Sequence, residues 1–189
     1  MGSWRTASTP CGTGNTHWPV CRRCREADGA MFSFALLEAT ALLPHEQIEG
    51  ERLVRLTRTI SRDGYLRQPV LVDRSSLVIL DGHHRVGALA ILGYAIVPAY
   101  LVDYRGTRVR VRSRRAGVAV DKDGVVERGT GRRPYPPRTS RHVFDEVPPP
   151  RPIDLELLAA LGTALAGEAP AAPRGARTRR MFASSPGRE

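Results

Sequence analysis

The chain has 189 residues, a net charge of +10 and 41% apolar side chains, enough for one globular domain with a core and irregular tails. Eighteen glycines and 15 prolines account for the irregular stretches. The longest uncharged run, 86–102, is broken by Gly93 and Pro98, which excludes a membrane span, and residues 1–30 lack the apolar segment of a secretory signal. A cytoplasmic protein is expected.

Cys11, Cys21 and Cys24 all precede the first apolar run. The Cys21-x-x-Cys24 spacing, with His17 and Cys11, has the form of a zinc site, but no second pair completes it. Residues 1–30 therefore read as a disordered extension, or as sequence ahead of a true start at Met31. Phe32-Ser-Phe-Ala-Leu-Leu is a first strand. Leu42-Leu-Pro-His-Glu46 is a turn leading to a helix. From Glu49 to Asp63, Leu53, Leu56 and Ile60 form one apolar stripe with charge opposite, so the spacing predicts an amphipathic helix stopped by Gly64. Pro69–Asp73 and Ser76–Leu80 are buried strands around Arg74-Ser75 and predict a hairpin. Val86–Leu92 is a helix stopped by Gly93. Ala95–Val102 returns as a strand, and Pro98 predicts an edge or a bulge there. Thr107–Arg112 alternates strictly and predicts a half-exposed strand. Pro136-Pro-Arg-Thr-Ser-Arg-His142 is a polar knot. Residues 148–152 are a Pro-rich linker, 153–165 a short helix burying Leu155, Leu158 and Leu161, and the rest a disordered basic tail.

Between strand and helix stands Leu80-Asp-Gly-His-His-Arg85. A glycine turn at a helix start aims free backbone N–H groups outward, the helix dipole adds positive charge, and Arg85 adds more; together these make an anion site. Asp81 alone is also a natural helix N-cap. Asp, His, His and Arg together exceed what a structural turn needs, and they point to phosphate chemistry.

Three stretches, Leu43-Pro-His-Glu46, Asp63-Gly-Tyr-Leu-Arg-Gln-Pro-Val70 and Leu80–Arg85, together resemble the ParB/sulfiredoxin fold over residues 32–104. The implied fold class is α+β, a small mixed β-sheet with flanking helices. The Asp-Gly-His-His-Arg form is similar to the free L-serine kinases, which phosphorylate the amino acid itself with ADP or ATP. Pro137-Arg-Thr-Ser-Arg-His142 is similar to that family's Pro-Lys-Thr-Thr-Arg-His signature, with Arg138 in place of lysine and a shorter segment after Tyr104.

The resemblance implies Glu46 as general base and Asp81 as a catalytic residue linked to Mg²⁺ through the phosphates. It implies Gly82, His83, His84, Arg85 and His45 as nucleotide and phosphate ligands, with His45 touching phosphate or orienting Glu46. Thr139, Ser140, Arg141 and His142 would grip free L-serine or a similar hydroxyl compound. The implied organisation is an extension (1–30), a nucleotide-binding catalytic domain (31–147), and a linker, short helix and tail (148–189).

A ParB-like regulator contacting DNA is the alternative. It draws on Arg105, Arg108, Arg110, Arg112, Arg114 and Arg115, but no helix-turn-helix follows the core. A sulfiredoxin-like reductase would need cysteine where His83 stands, and a two-metal nuclease would need clustered carboxylates that this chain lacks.

Overall fold

A computed structural model describes residues 30–166; the three cysteines, His17 and the C-terminal tail lie outside the described residues. Its centre is a five-stranded mixed sheet ordered β1-β6-β4-β5-β2. The strands are β1 (Ser33–Glu38), β2 (Leu43–Pro44), β4 (Val70–Asp73), β5 (Val78–Asp81) and β6 (Ile96–Val102). β4 and β5 form the expected antiparallel hairpin, while β4 runs parallel to β6 and β2 parallel to β5.

Period-two alternation divides these strands between two cores. Val70, Val72, Ile79, Val97, Ala99 and Leu101 face one cluster. Leu71, Val78, Leu80, Tyr100 and Val102 face the other. Both faces are covered, so the strands read as unbroken apolar runs in the sequence.

The first cluster is closed by α1 (Gly50–Asp63), α2 (His83–Ile91) and α4 (Leu155–Ala166). Helix α1 uses the predicted stripe and ends at Gly64, whose φ of 74° is left-handed and whose N–H donates to the Ile60 carbonyl. Ile153, Leu155 and Leu158 join this cluster, and β9 (Ile153–Asp154) pairs with β3 (Tyr65–Leu66). The boundary expected after residue 147 therefore does not separate two packing units.

The second face is covered by an antiparallel ribbon of β7 (Val109–Ser113) and β8 (Ser140–Phe144), and by α3 (Lys122–Thr130). Asp121 caps α3, its carboxylate accepting the Gly124 N–H at 2.7 Å.

Four local expectations are corrected. Residues 43–44 are a short edge strand, and Glu46 lies four residues ahead of α1, bridged to Tyr135. Pro98 sits in an interior strand, where β4 joins only from Ala99 onward, so at Pro98 the ladder has one partner, β1. Gly82, not Asp81, is the N-cap of α2. Part of the polar knot is the strand β8.

Candidate functional site

β5 ends at Asp81, the chain turns through Gly82 at φ 108°, and α2 begins at His83. A Cβ on Gly82 would lie 2.7 Å from Val70 Cγ1, so the turn requires glycine on steric as well as torsional grounds. The first intrahelical bond runs from the Val86 N–H to the Gly82 carbonyl, which leaves the amides of His83, His84 and Arg85 outside the helical ladder.

The turn, Glu46, Arg114, Arg138 and Ser140–His142 all line one cleft of about 550 Å³. That size suits a small-molecule site. Arg52 and Gln68, which the sequence reading did not single out, line it too.

Glu46 is held from the far side of the cleft. Its Oε2 accepts the Arg138 N–H at 3.1 Å, and its Oε1 accepts the Ser140 N–H and, at 2.5 Å, the Ser140 hydroxyl. The knot thus positions the carboxylate through its backbone. Tyr135, paired by backbone bonds to His45 and Gln47, brings the two segments together.

Two of the residues expected at phosphate are engaged elsewhere in this structure. His45 has no exposed surface, and both ring nitrogens are engaged, Nδ1 with the Ile79 carbonyl at 2.6 Å and Nε2 with Ser140 Oγ at 2.8 Å. It is not among the residues that line the cleft. The Arg85 fork is turned into the protein: Nη1 donates to the Gln68 and Pro69 carbonyls at 3.0 and 2.5 Å, and Nη2 to Asp81. Arg85 therefore clamps the turn, and the amides of His83, His84 and Arg85 with the His84 side chain remain as candidate anion donors at the cleft. The His84 Nε2 accepts the Glu49 N–H at 3.2 Å, tying α2 to the start of α1.

The knot also divides differently from expectation. Thr139 is wholly buried and its hydroxyl donates to the Pro136 carbonyl at 2.8 Å, so it shapes the loop and does not line the cleft. Arg141 is exposed on the cleft wall. His142 lines the cleft with Nε2 bonded to the Tyr104 hydroxyl at 2.9 Å. Tyr104 is fully buried.

Three histidine rings stack edge to face beneath the cleft, His45 against His83 at 4.7 Å and against His142 at 5.3 Å. Burial disfavours the charged form of all three. It pushes His142 down to about 3, with His45 adding to the effect, and His83 well below its ordinary value, with His45 and His142 as the next causes. Burial also lowers His45, against the opposing pull of Glu46 and the Ile79 carbonyl. His84 is lowered by burial and then by Arg52. The Tyr104 hydroxyl is raised, first by burial and then by Asp73. The Nε2 of His83 is the one buried side-chain polar atom without a hydrogen-bond partner among the described residues.

No protein-family model matches the chain. Over 82 residues it is 35% identical to an ATP-dependent L-serine kinase of Staphylothermus marinus, a match covering 41% of this chain and 32% of the relative. Over 80 residues it is 36% identical to a ParB-like protein of Sulfolobus acidocaldarius, covering 42% and 40%. The chain thus spans less than half the length of the curated relatives it matches. Among solved structures, a free serine kinase in complex with AMP superposes with a TM-score of 0.60 at 17% identity, over 66% of this chain and 93% of that one. A conserved hypothetical protein from Pyrococcus furiosus gives the same TM-score and identity, over 66% and 97%. The fold is that of free serine kinase. It is an α+β architecture with a small mixed sheet and flanking helices, as the motifs imply.

A magnesium ion fits this site in one way. Among the described residues no group of three or more His, Cys, Asp or Glu side chains is placed to hold a metal. Asp81 offers one largely exposed carboxylate at the cleft, its other contact being Arg85. One carboxylate plus phosphate oxygens and water is an ordinary magnesium environment.

The basic run before and within β7 is partly neutralised. Arg105 pairs with Asp123 at 2.9 Å, Arg110 with Asp145 at 2.9 Å, and Arg108 with Glu146. No helix among the described residues is long and apolar enough to cross a membrane.

Proposed function

We propose that the chain is a nucleotide-dependent kinase of the cytoplasm that phosphorylates the hydroxyl of a small compound, with free L-serine as substrate and O-phospho-L-serine as product. The observation that carries this reading is that one cleft is lined both by the Gly82–Arg85 turn and by the Glu46 carboxylate. The turn supplies phosphate donors, and Glu46 supplies a proton acceptor held by two backbone amides.

In the proposed reaction the substrate oxygen forms a bond to the terminal phosphorus of ATP or ADP. The bond from that phosphorus to the bridging oxygen breaks, its electron pair leaves with the nucleotide, and the hydroxyl proton passes to Glu46. The amides of His83, His84 and Arg85, with the His84 side chain, hold phosphate oxygens. Asp81 would hold a magnesium ion jointly with those phosphates, and the bound ion would offset their charge. Arg141 and Arg138 line the same cleft, where a guanidinium suits the carboxylate of an amino-acid substrate. The paired state of Arg105, Arg108 and Arg110 favours this reading over that of a DNA-bound regulator.

The test compares nucleotide turnover in the full chain and in Glu46→Ala, each with and without L-serine. The proposal expects serine-dependent turnover that falls at least about 100-fold in the variant, the lower end of what a positioned general base contributes. Equal turnover in the two proteins contradicts the mechanism.

A further inference from the structure

His45 is one of the buried titratable groups that the reaction above leaves without a task, and its contacts contain a proton-counting problem. The Ile79 carbonyl can only accept, so His45 Nδ1 carries a hydrogen in every protonation state that keeps this 2.6 Å bond. That leaves Nε2 facing Ser140 Oγ at 2.8 Å, while the same Oγ stands 2.5 Å from Glu46 Oε1. Each of these two contacts needs a proton between its heavy atoms. The serine hydroxyl supplies one. A neutral imidazole, a serine and a carboxylate together contain one proton too few to fill both contacts at once, so the row Nε2–Oγ–Oε1 has room for one more proton.

From this geometry we propose that Ser140 is a proton relay between Glu46 and His45 during phosphoryl transfer. Before the reaction the Ser140 hydroxyl points to Nε2 of a neutral His45, and Glu46 is ionised. As the substrate O–H breaks and its oxygen bonds to phosphorus, Glu46 takes the proton. It passes that proton to Ser140 Oγ while the Ser140 proton moves to His45 Nε2. The carboxylate is restored, the electron pair of the broken P–O bond leaves on the nucleotide, and the substrate's proton equivalent rests on a buried imidazole until the product departs. Both contacts that the relay needs, 2.8 Å from Ser140 Oγ to Nε2 and 2.5 Å to Oε1, are present in the structure. Ser140 and His45 act through Glu46 and are positioning residues.

The surroundings of His45 explain why its proton depends on Glu46. The neighbouring α2 presents His83, β8 presents Ser140 and His142, β5 presents the Ile79 carbonyl, and Tyr104 and Lys122 act at one remove through His142. Glu46 is the acid whose charge favours a proton on His45, and the other ionisable groups that face the ring are histidines and, at one remove, Tyr104 and Lys122. A second proton on His45 is stabilised when Glu46 is charged and loses that support when Glu46 is neutral.

This inference rests on the kinase reading, and the experiment separates the two. Ser140→Ala keeps the backbone amide to Glu46 and removes the relay hydroxyl; Ser140→Thr keeps a hydroxyl. The expected result is a fall of about 10–100-fold in kcat for Ser140→Ala with the nucleotide KM within about twofold, and recovery of most of that loss in Ser140→Thr. The solvent deuterium inventory is expected to be curved, as for two protons in motion, in the starting protein and linear in Ser140→Ala. Unchanged kcat and an unchanged inventory in Ser140→Ala overturn the relay. A second arm needs no turnover: ¹⁵N NMR of the ring nitrogens follows His45 in the starting protein, Ser140→Ala and Glu46→Gln, with thermal unfolding checking that each variant folds. A His45 Nε2 resonance that moves its titration midpoint in both variants supports the linkage. An Nε2 that titrates identically in all three proteins refutes it. If no donor gives phosphotransfer, the kinase reading fails, and the NMR arm still decides whether the three groups share a proton.

Discussion

Replacing Gly82 with alanine tests whether the phosphate turn is fixed by geometry. Gly82 has φ 108°, a left-handed conformation that costs a residue with a Cβ about 1–2 kcal/mol. The new methyl group would also meet Val70 Cγ1 at 2.7 Å, Val70 Cβ at 3.0 Å and Arg85 Nε at 3.1 Å. Val70 has no exposed surface and is pinned in β4 opposite Ala99, so it cannot swing aside. Overpacking of this kind costs about 1–3 kcal/mol. The two effects sum to roughly 2–5 kcal/mol, a large share of the ~5–15 kcal/mol that stabilises a typical domain. Urea unfolding should show this as a lower midpoint at unchanged slope. The 2.7 Å clash with Cγ1 should vanish once Val70 is shortened, while the 3.0 Å approach to Cβ and the torsional cost remain. The Gly82→Ala/Val70→Ala double variant is therefore expected to lose about 1–3 kcal/mol less than the sum of the singles. A loss under about 0.5 kcal/mol in Gly82→Ala, or strict additivity with Val70→Ala, would refute the argument.

Thr139→Val should cost about 1 kcal/mol in unfolding free energy through the lost bond to the Pro136 carbonyl, with the serine KM unchanged. A rise in that KM without a loss of stability would return Thr139 to the substrate. Stability should also fall with acid. His83 and His142 take up protons near 6.5 when unfolded but not until far lower pH, about 3 for His142, when folded. The unfolded state therefore binds more protons in that window, and the stabilisation present above pH 6.5 is lost as pH falls toward 3. Each histidine contributes up to about 1.4 kcal/mol per pH unit. Urea midpoints measured from pH 7 to 4 check this, and a flat profile would show that the rings titrate normally.

The local elements were legible because short-range physics dictates them. Leu53, Leu56 and Ile60 announce α1, Gly64 announces its end, and the apolar runs on either side of Arg74-Ser75 announce the hairpin. The β5–Gly82–α2 turn was readable for the same reason. What escaped the sequence depends on partners far along the chain. Glu46 looks like the first-turn acid of a helix until β8, 94 residues away, supplies its amide and hydroxyl donors. His45 looks like a phosphate ligand and Thr139 like a substrate contact until burial closes over them. Arg85 has the right chemistry for phosphate, yet the carbonyls of Gln68 and Pro69 claim it first. Helix α3 went unread because it is short and carries glycine within it. Gly129 is there because a Cβ would sit 2.6 Å from Val78 on β5, a packing reason invisible in its own segment. Pro98 suggested an edge because the sequence does not say that β4 begins one residue beyond it in register.

The most direct test of the kinase reading is ³¹P NMR of the full chain with Mg²⁺ and L-serine, run once with ATP and once with ADP. The account predicts a new phosphomonoester resonance that requires serine, grows with one donor or both, and disappears in Glu46→Ala. Nucleotide that binds the cleft but yields no serine-dependent phosphomonoester from either donor would contradict it.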